Sequence, residues 1–117
     1  MSESYNFLDS KALCDHFSGD EELIVDLIDF FEDSYHDTLN PLKVALASQS
    51  YSDIEFHAHT LKGMIANFFS KDLKEYASIL ESQGKDKQLE NPDDLFEKLK
   101  VGIPVLIEEL KHFSKTL

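Results

Sequence analysis

At 117 residues the chain has a single-domain length, enough to bury roughly two thirds of its unfolded surface; hydrophobic residues at 42%, nine of them Phe, supply the core. Charged residues at 29% with four Gly and three Pro favour helices over a turn-rich sheet protein. The net charge of −12, spread along the chain, argues against nucleic acid, whose binders need a basic footprint, and against anionic membrane surfaces.

Residues 1–7 are polar, with Tyr5 and Phe7 as candidate anchors. Asp9 or Ser10 is placed to cap a short helix reaching His16 or Phe17, with Leu13 and Phe17 spaced to pack inward. Ser18-Gly19 then ends it, because glycine accepts the left-handed conformation common just past helix ends. Asp20-Glu21-Glu22 opens the next helix with negative charge where the helix dipole favours it. Its apolar stripe runs Leu23/Ile24, Leu27/Ile28, Phe31, Tyr35, Leu39, Leu42 and Leu46, the spacing of one buried face. Pro41 interrupts this stripe, which predicts a kink or a restart with Asn40 as cap. The stripe keeps its phase across the proline, so one long bent element is expected.

Ser48 to Ser52 form a turn, and Ser52 with Glu55 three residues later fits a capping box that starts the next helix. That helix is expected to end near Phe69. Ser70 caps another, whose inward set is Leu73, Tyr76/Ala77 and Leu80 and which Gly84 stops. After a charged loop over 84–91, Asn91-Pro92-Asp93-Asp94 is a strong helix start. Leu95/Phe96, Leu99, Ile103, Leu106, Leu110 and Phe113 complete the last stripe, with a bend expected at Gly102 and Pro104. The fold class that follows is all-α: an antiparallel four-helix bundle with a short extra N-terminal helix laid across one end. One domain covers 1–117, its core over about 10–115.

The helix around Phe56-His57-Ala58-His59-Thr60-Leu61-Lys62-Gly63 separates its faces sharply. Advancing about 100° per residue, Ile54, Leu61, Met64, Ile65 and Phe68 gather on one side and His59 points away from them. Gly63 and Ala66 fall beside His59, with Lys62 on its flank. His57 and His59 lie about 200° apart on a helix and cannot share an ion; His57 is read as a core or boundary histidine with a hydrogen-bond partner. Glu32 and His36 are four apart, short of a di-iron set, so no metal is expected.

An exposed imidazole with no obvious carboxylate to orient it, and no Ser or Cys nucleophile on its face, is poor equipment for hydrolysis. It suits accepting a phosphoryl group and surrendering it, since neutral imidazole, with an ordinary pKa of about 6.5, is a good nucleophile. Such transfer needs positioning and neutralised phosphoryl oxygens more than covalent help. Lys62 can supply a positive charge from one turn away, while Gly63 and Ala66 leave room. Taken alone, an isolated histidine on an exposed face more often has no chemical role.

His59-Thr-Leu-Lys-Gly63, in the helix after a long acidic one and before the Leu80-Glu81 pair, resembles the signature of histidine-containing phosphotransfer (HPt) domains, the intermediate carriers of phosphorelays. The resemblance covers roughly residues 10–115 and implies a four-helix bundle. It makes His59 the phosphoacceptor, Lys62 the phosphate-neutralising residue and Gly63 the steric clearance. The chain departs from the family at His57, where alanine is frequent, at Met64 and Ile65, where small residues are common, and at Phe69, where glycine is common. Phe56, Gly63, Ala66 and Asn67 are the candidate docking surface, with Phe69 at its edge.

The function implied is a phosphorelay intermediate that takes a phosphoryl group from a receiver-domain aspartyl phosphate and passes it to another receiver. It would be a carrier rather than an enzyme, with no ATP site, no cofactor, and any magnesium on the receiver. Partners are response-regulator receiver domains and a hybrid sensor histidine kinase, with a monomeric carrier expected. The alternative is a non-phosphorylated helical adaptor that binds receivers; a phosphoacceptor domain cut from a sensor kinase is a third reading. The lone Cys14 favours a reducing compartment. The first residues lack signal-peptide regions and no apolar run spans a bilayer, so a cytoplasmic location is expected.

Overall fold

The computed structural model describes residues 5–18 and 20–117. Six helices follow one another: α1 (Ser10–His16), α2 (Glu21–Ser34), α3 (His36–Ser48), α4 (Tyr51–Ala66), α5 (Lys71–Asp86) and α6 (Pro92–Ser114). No strand occurs among the described residues. With α2 and α3 taken as one bent element, four long elements make an antiparallel bundle 44 Å in its longest dimension, and α1 lies across one end.

Local chemistry sets the helix starts. Asp9 Oδ1 accepts the Ala12 N–H at 3.0 Å and begins α1; Asp20 Oδ1 accepts the Leu23 N–H at 3.2 Å and begins α2. Each supplies an acceptor to an amide that has no partner inside the helix. Gly19, expected to end α1, lies outside the described residues. The cap of α4 is Ser50 rather than Ser52: its hydroxyl donates to Asp53 Oδ2 at 2.8 Å, so the serine–acid pair sits two residues earlier than the Ser52/Glu55 pair the sequence offered. Ser70 starts α5 as expected, though its buried hydroxyl makes no capping bond.

The long element is divided at Tyr35, while Asn40 and Pro41 lie inside α3 and start no new helix. Tyr35 keeps helical dihedrals (φ −63°, ψ −28°), but the Thr38 N–H turns to the Tyr35 carbonyl at 3.1 Å, a bond one residue shorter than the α-helical one. Pro41 withholds its N–H from the Asp37 carbonyl and its ring crowds that carbonyl. Tyr35, buried and against the Phe31 ring at 5.9 Å, joins the two helices.

Gly84 does not stop α5. The helix runs on to Asp86, and the left-handed residue that ends it is Lys87 (φ 55°). Gly84 is instead buried where α5 meets α4: a β-carbon there would lie 2.8 Å from the Glu55 nitrogen and 2.9 Å from the Tyr51 carbonyl oxygen. The charged loop is correspondingly shorter, closed by Gln83 bonding both the N–H and the carbonyl of Glu90 at 3.0 Å. Asn91 and Pro92 open α6, which continues unbroken through Gly102 and Pro104.

The core follows the predicted stripes, with Leu42, Ile54, Leu61, Ile65, Leu73, Leu80, Leu99, Ile103, Leu106 and Leu110 removed from solvent. Phe31 stacks on Phe68 (4.8 Å) and Thr38 Oγ1 meets Met64 Sδ at 3.6 Å. These two contacts fix the register of α4 against the bent element.

The segment before α1 is strapped to the far helix. Both Glu109 oxygens accept main-chain N–H groups, from Asn6 (2.6 Å), Phe7 (2.9 Å) and Leu8 (3.1 Å), and the Asp9 N–H bonds the Phe69 carbonyl at 3.1 Å. The Phe7 ring and the Leu73 side chain of α5 together fill the notch that Gly102 leaves on α6. Glu109→Ala removes the shared acceptor of three amides, each such charge-assisted bond being worth about 1.5 kcal/mol or more. Hydrogen exchange at Asn6–Leu8 should accelerate at least about tenfold while that of α4 and α5 stays unchanged; equal exchange would show that Glu109 does not hold the strap.

Candidate functional site

The stripes that bury Ile54, Ala58, Leu61 and Ile65 turn His59 outward. Its side chain is 68% exposed, in mid-helix. On that face Gly63 opens on empty space, with nothing within 4 Å of where a β-carbon would stand. Phe56, one turn before His59, is 64% exposed. Asn67 is exposed and Ala66 half-buried, so the four candidate docking residues come to one side of α4 with His59.

The structure supplies the carboxylate that sequence reasoning did not place. Glu81 reaches from α5: its Oε2 lies 2.8 Å from His59 Nδ1 and its Oε1 2.6 Å from Lys62 Nζ. Burial pushes the Glu81 carboxyl up, but the hydrogen bonds from Lys62 and His59 outweigh it and hold the group below the usual carboxylate range. An ionised carboxylate is an acceptor only. His59 Nδ1 must therefore donate, which leaves the lone pair of a neutral ring on Nε2. Lys62 is 27% exposed and is held on Glu81, so in this state it positions the acid as well as lending charge beside the histidine.

Glu81 was visible in the sequence only as part of the Leu80-Glu81 pair. Its phase offered a signal: it follows the buried Leu80 and stands one turn past the buried Ala77, at the edge of the stripe facing α4. Its level opposite His59 depends on how α5 is drawn along α4, which the Gly84 contact decides.

The other histidines stand elsewhere. His57 is a boundary residue, half-buried with its ring edge-on to Phe56 at 5.2 Å, and it has no hydrogen-bond partner among the described residues, contrary to the expectation of one. His36 lies on the Tyr35 ring at 4.0 Å, away from Glu32, which pairs with Lys111 at 2.6 Å. Among the described residues no group of three or more His, Cys, Asp or Glu side chains is arranged to hold a metal ion. No described helix is long and apolar enough to cross a membrane.

A family model for the Hpt domain matches residues 26–114. No curated protein matches the chain in sequence. Among solved structures, the crystal structure of histidine-containing phosphotransfer protein B (HptB) from Pseudomonas aeruginosa PAO1 has the same fold, with a TM-score of 0.85 at 22% sequence identity, over 97% of this chain and 99% of that one.

Proposed function

This chain belongs to the Hpt domain family, and from that premise we propose that His59 is its phosphoacceptor, reacting through Nε2. As an Hpt domain it is a histidine-containing phosphotransfer intermediate of a phosphorelay, a family that works with receiver domains. The observation that carries the residue assignment is the 2.8 Å bond from His59 Nδ1 to Glu81. It presents the nucleophilic nitrogen outward on the face that Gly63 leaves open.

The step balances simply. The Nε2 lone pair attacks phosphorus, the bond from phosphorus to the aspartyl oxygen breaks, and that oxygen leaves as carboxylate. The ring, still carrying its Nδ1 proton, becomes a cation for the duration of the N–P bond, and Glu81 stabilises it. Delivery to the next receiver is the reverse displacement. Lys62 offsets the Glu81 charge and part of the charge arriving on the phosphoryl oxygens. Phe56, Gly63, Ala66 and Asn67 are the docking surface for the receiver. In this reading the phosphoryl group leaves by transfer and not to water, ATP is not used, any magnesium sits on the receiver, and the carrier acts as a cytoplasmic monomer. An adaptor that only bound receivers would have no use for a carboxylate shared between a histidine and a lysine.

Incubation with a phosphorylated receiver tests the function: an acid-labile, base-stable phosphate should appear on the chain within the lifetime of the donor, and its absence with every receiver tried would sink the reading. The tautomer has its own test. In Glu81→Ala the ring nitrogen shifts of His59 should move from the Nδ1–H form toward Nε2–H, and phosphoryl uptake should slow about tenfold, the loss expected for one hydrogen bond to a charged group. Unchanged nitrogen shifts would remove Glu81 from this role.

A further inference from the structure

In a chain of net charge −12 with eleven basic residues, three lysines gather around one cavity beyond the end of the helix that carries His59. The repeat of α5 sets Lys71, Lys74, Ser78 and Glu81 on one stripe, and Glu81 is shown by its bonds to face His59 and Lys62. Next to that stripe is a cavity of about 630 Å³, walled by Ala66 and Phe69 from the end of α4, by Lys71 and Lys74, and by Lys11 of α1. Ala66 is two turns from His59, about 10 Å along the helix, so the cavity adjoins the docking surface.

The charges here are available. Lys71 and Lys74 are exposed, and their side chains make no hydrogen bond or ion pair among the described residues. Lys11 meets only Asp15, at 3.5 Å with both side chains in water, a pairing of little worth. Of the carboxylates lining the cavity, Asp9 is engaged in capping α1 and Asp72 stands in the first turn of α5. Elsewhere the surface is acidic: α2 alone presents Glu21, Glu22, Asp26, Asp29 and Asp33 and has no basic residue.

The partner is anionic where it must approach. An aspartyl phosphate and the carboxylates that would hold its magnesium put negative charge at the receiver's docking surface. We propose that the cavity edged by Lys11, Lys71 and Lys74 is a second contact of the docking face, taking a carboxylate-bearing loop of the receiver domain and selecting among receivers by its charge. This rests on the reading of His59 as the phosphoacceptor. Charges at the edge of an interface act mainly on the rate of association and its salt dependence, so the contact governs which receiver arrives and leaves the N–P chemistry alone.

The test uses the full chain carrying Lys71→Glu and Lys74→Glu together, phosphorylated either by phosphoramidate, which needs no docking face, or by a panel of phosphorylated receivers. Phosphoramidate should label both proteins at the same rate. Labelling by the preferred receiver should fall about tenfold or more at low salt, the deficit should shrink near 0.5 M salt as the charges are screened, and the order of receivers should change. Equal receiver rates in the two proteins would overturn the inference, as would a matching loss with phosphoramidate, which would place the effect on His59 itself. Millimolar inorganic phosphate shifting the Lys71 and Lys74 amide signals, with receivers indifferent to the variant, would mark a free-anion site and overturn it too. If no receiver labels the unmodified chain, it is the phosphotransfer reading that fails, and the inference with it.

Discussion

Replacing His59 by glutamine abolishes phosphoryl uptake from a phosphorylated receiver while the bundle stays folded. The amide of glutamine keeps the size and polarity of the imidazole, but its nitrogen lone pair is delocalised into the carbonyl and cannot displace an acyl phosphate. The His59 side chain is 68% exposed and Glu81 keeps its bond to Lys62. The change should therefore cost about 1.5 kcal/mol of stability, the worth of one bond to a charged group, and a thermal scan separates lost labelling from unfolding. The remaining histidines are poor substitutes. His16 is packed edge-on to Phe17 and beside Phe69, His36 lies on Tyr35, His57 meets the edge of Phe56 and His112 the ring of Tyr5. The bond from His59 Nδ1 to Glu81 leaves Nε2 of that ring free to react. Acid-labile label that persists in His59→Gln would move the acceptor to another residue and dismantle the proposed site.

The second large effect separates two glycines that look alike in sequence. In Gly84→Ala the new methyl meets main-chain atoms of α4 at 2.8 and 2.9 Å, and main chain cannot turn aside as a flexible side chain does. Overpacking of this kind costs about 3 kcal/mol, against roughly 1 kcal/mol that alanine returns to a helix interior. The net loss of about 2 kcal/mol lowers the melting temperature by roughly 8 °C for a domain of this size. Gly63→Ala meets nothing and should instead raise the melting temperature by roughly 4 °C. Gly63→Gln keeps the fold but fills the space in front of His59, so transfer from a receiver falls at least about tenfold while phosphoramidate labelling holds. A thermal scan of the two alanine variants and a transfer assay on the glutamine variant check all three. If Gly84→Ala melts with the unmodified chain, the close approach of α4 and α5 is not real; if Gly63→Gln transfers at the unmodified rate, clearance is not the role of Gly63.

Most of the fold was legible because apolar periodicity is a property of each helix by itself. The stripes from Ile24 to Leu46 and from Leu95 to Phe113 bury the faces they mark, with Leu23 alone left 41% exposed, and Asp9 and Asp20 cap as acids before an apolar run do. What was misplaced depends on neighbours. Gly84 reads as a stop by its residue type, yet it is retained inside α5 because α4 needs the space. Pro41 reads as the point of interruption, yet the helix is divided at the buried Tyr35 and continues through the proline. At the site, helical phase alone chose His59 over His57 and put Lys62 on its flank. Glu81 comes from another helix, and no periodicity within one segment tells which residue of α5 will stand level with His59.

That dependence on α5 has a consequence in time as well as in space. Glu81 is one turn before Gly84, and Gly84 sits against Tyr51 and Glu55, one to two turns before His59. The two halves of the bonded pair are thus carried on the two helices whose backbones come closest at that glycine, near the level of the bond. Stability within a domain is uneven, and segments open in cooperative units. Helices α4 and α5 should open as one such unit, so that the strap and the start of α2 can fluctuate while the His59 ring keeps its orientation through many rounds of docking. The bundle is then free to be soft at its ends, provided this one seam stays closed.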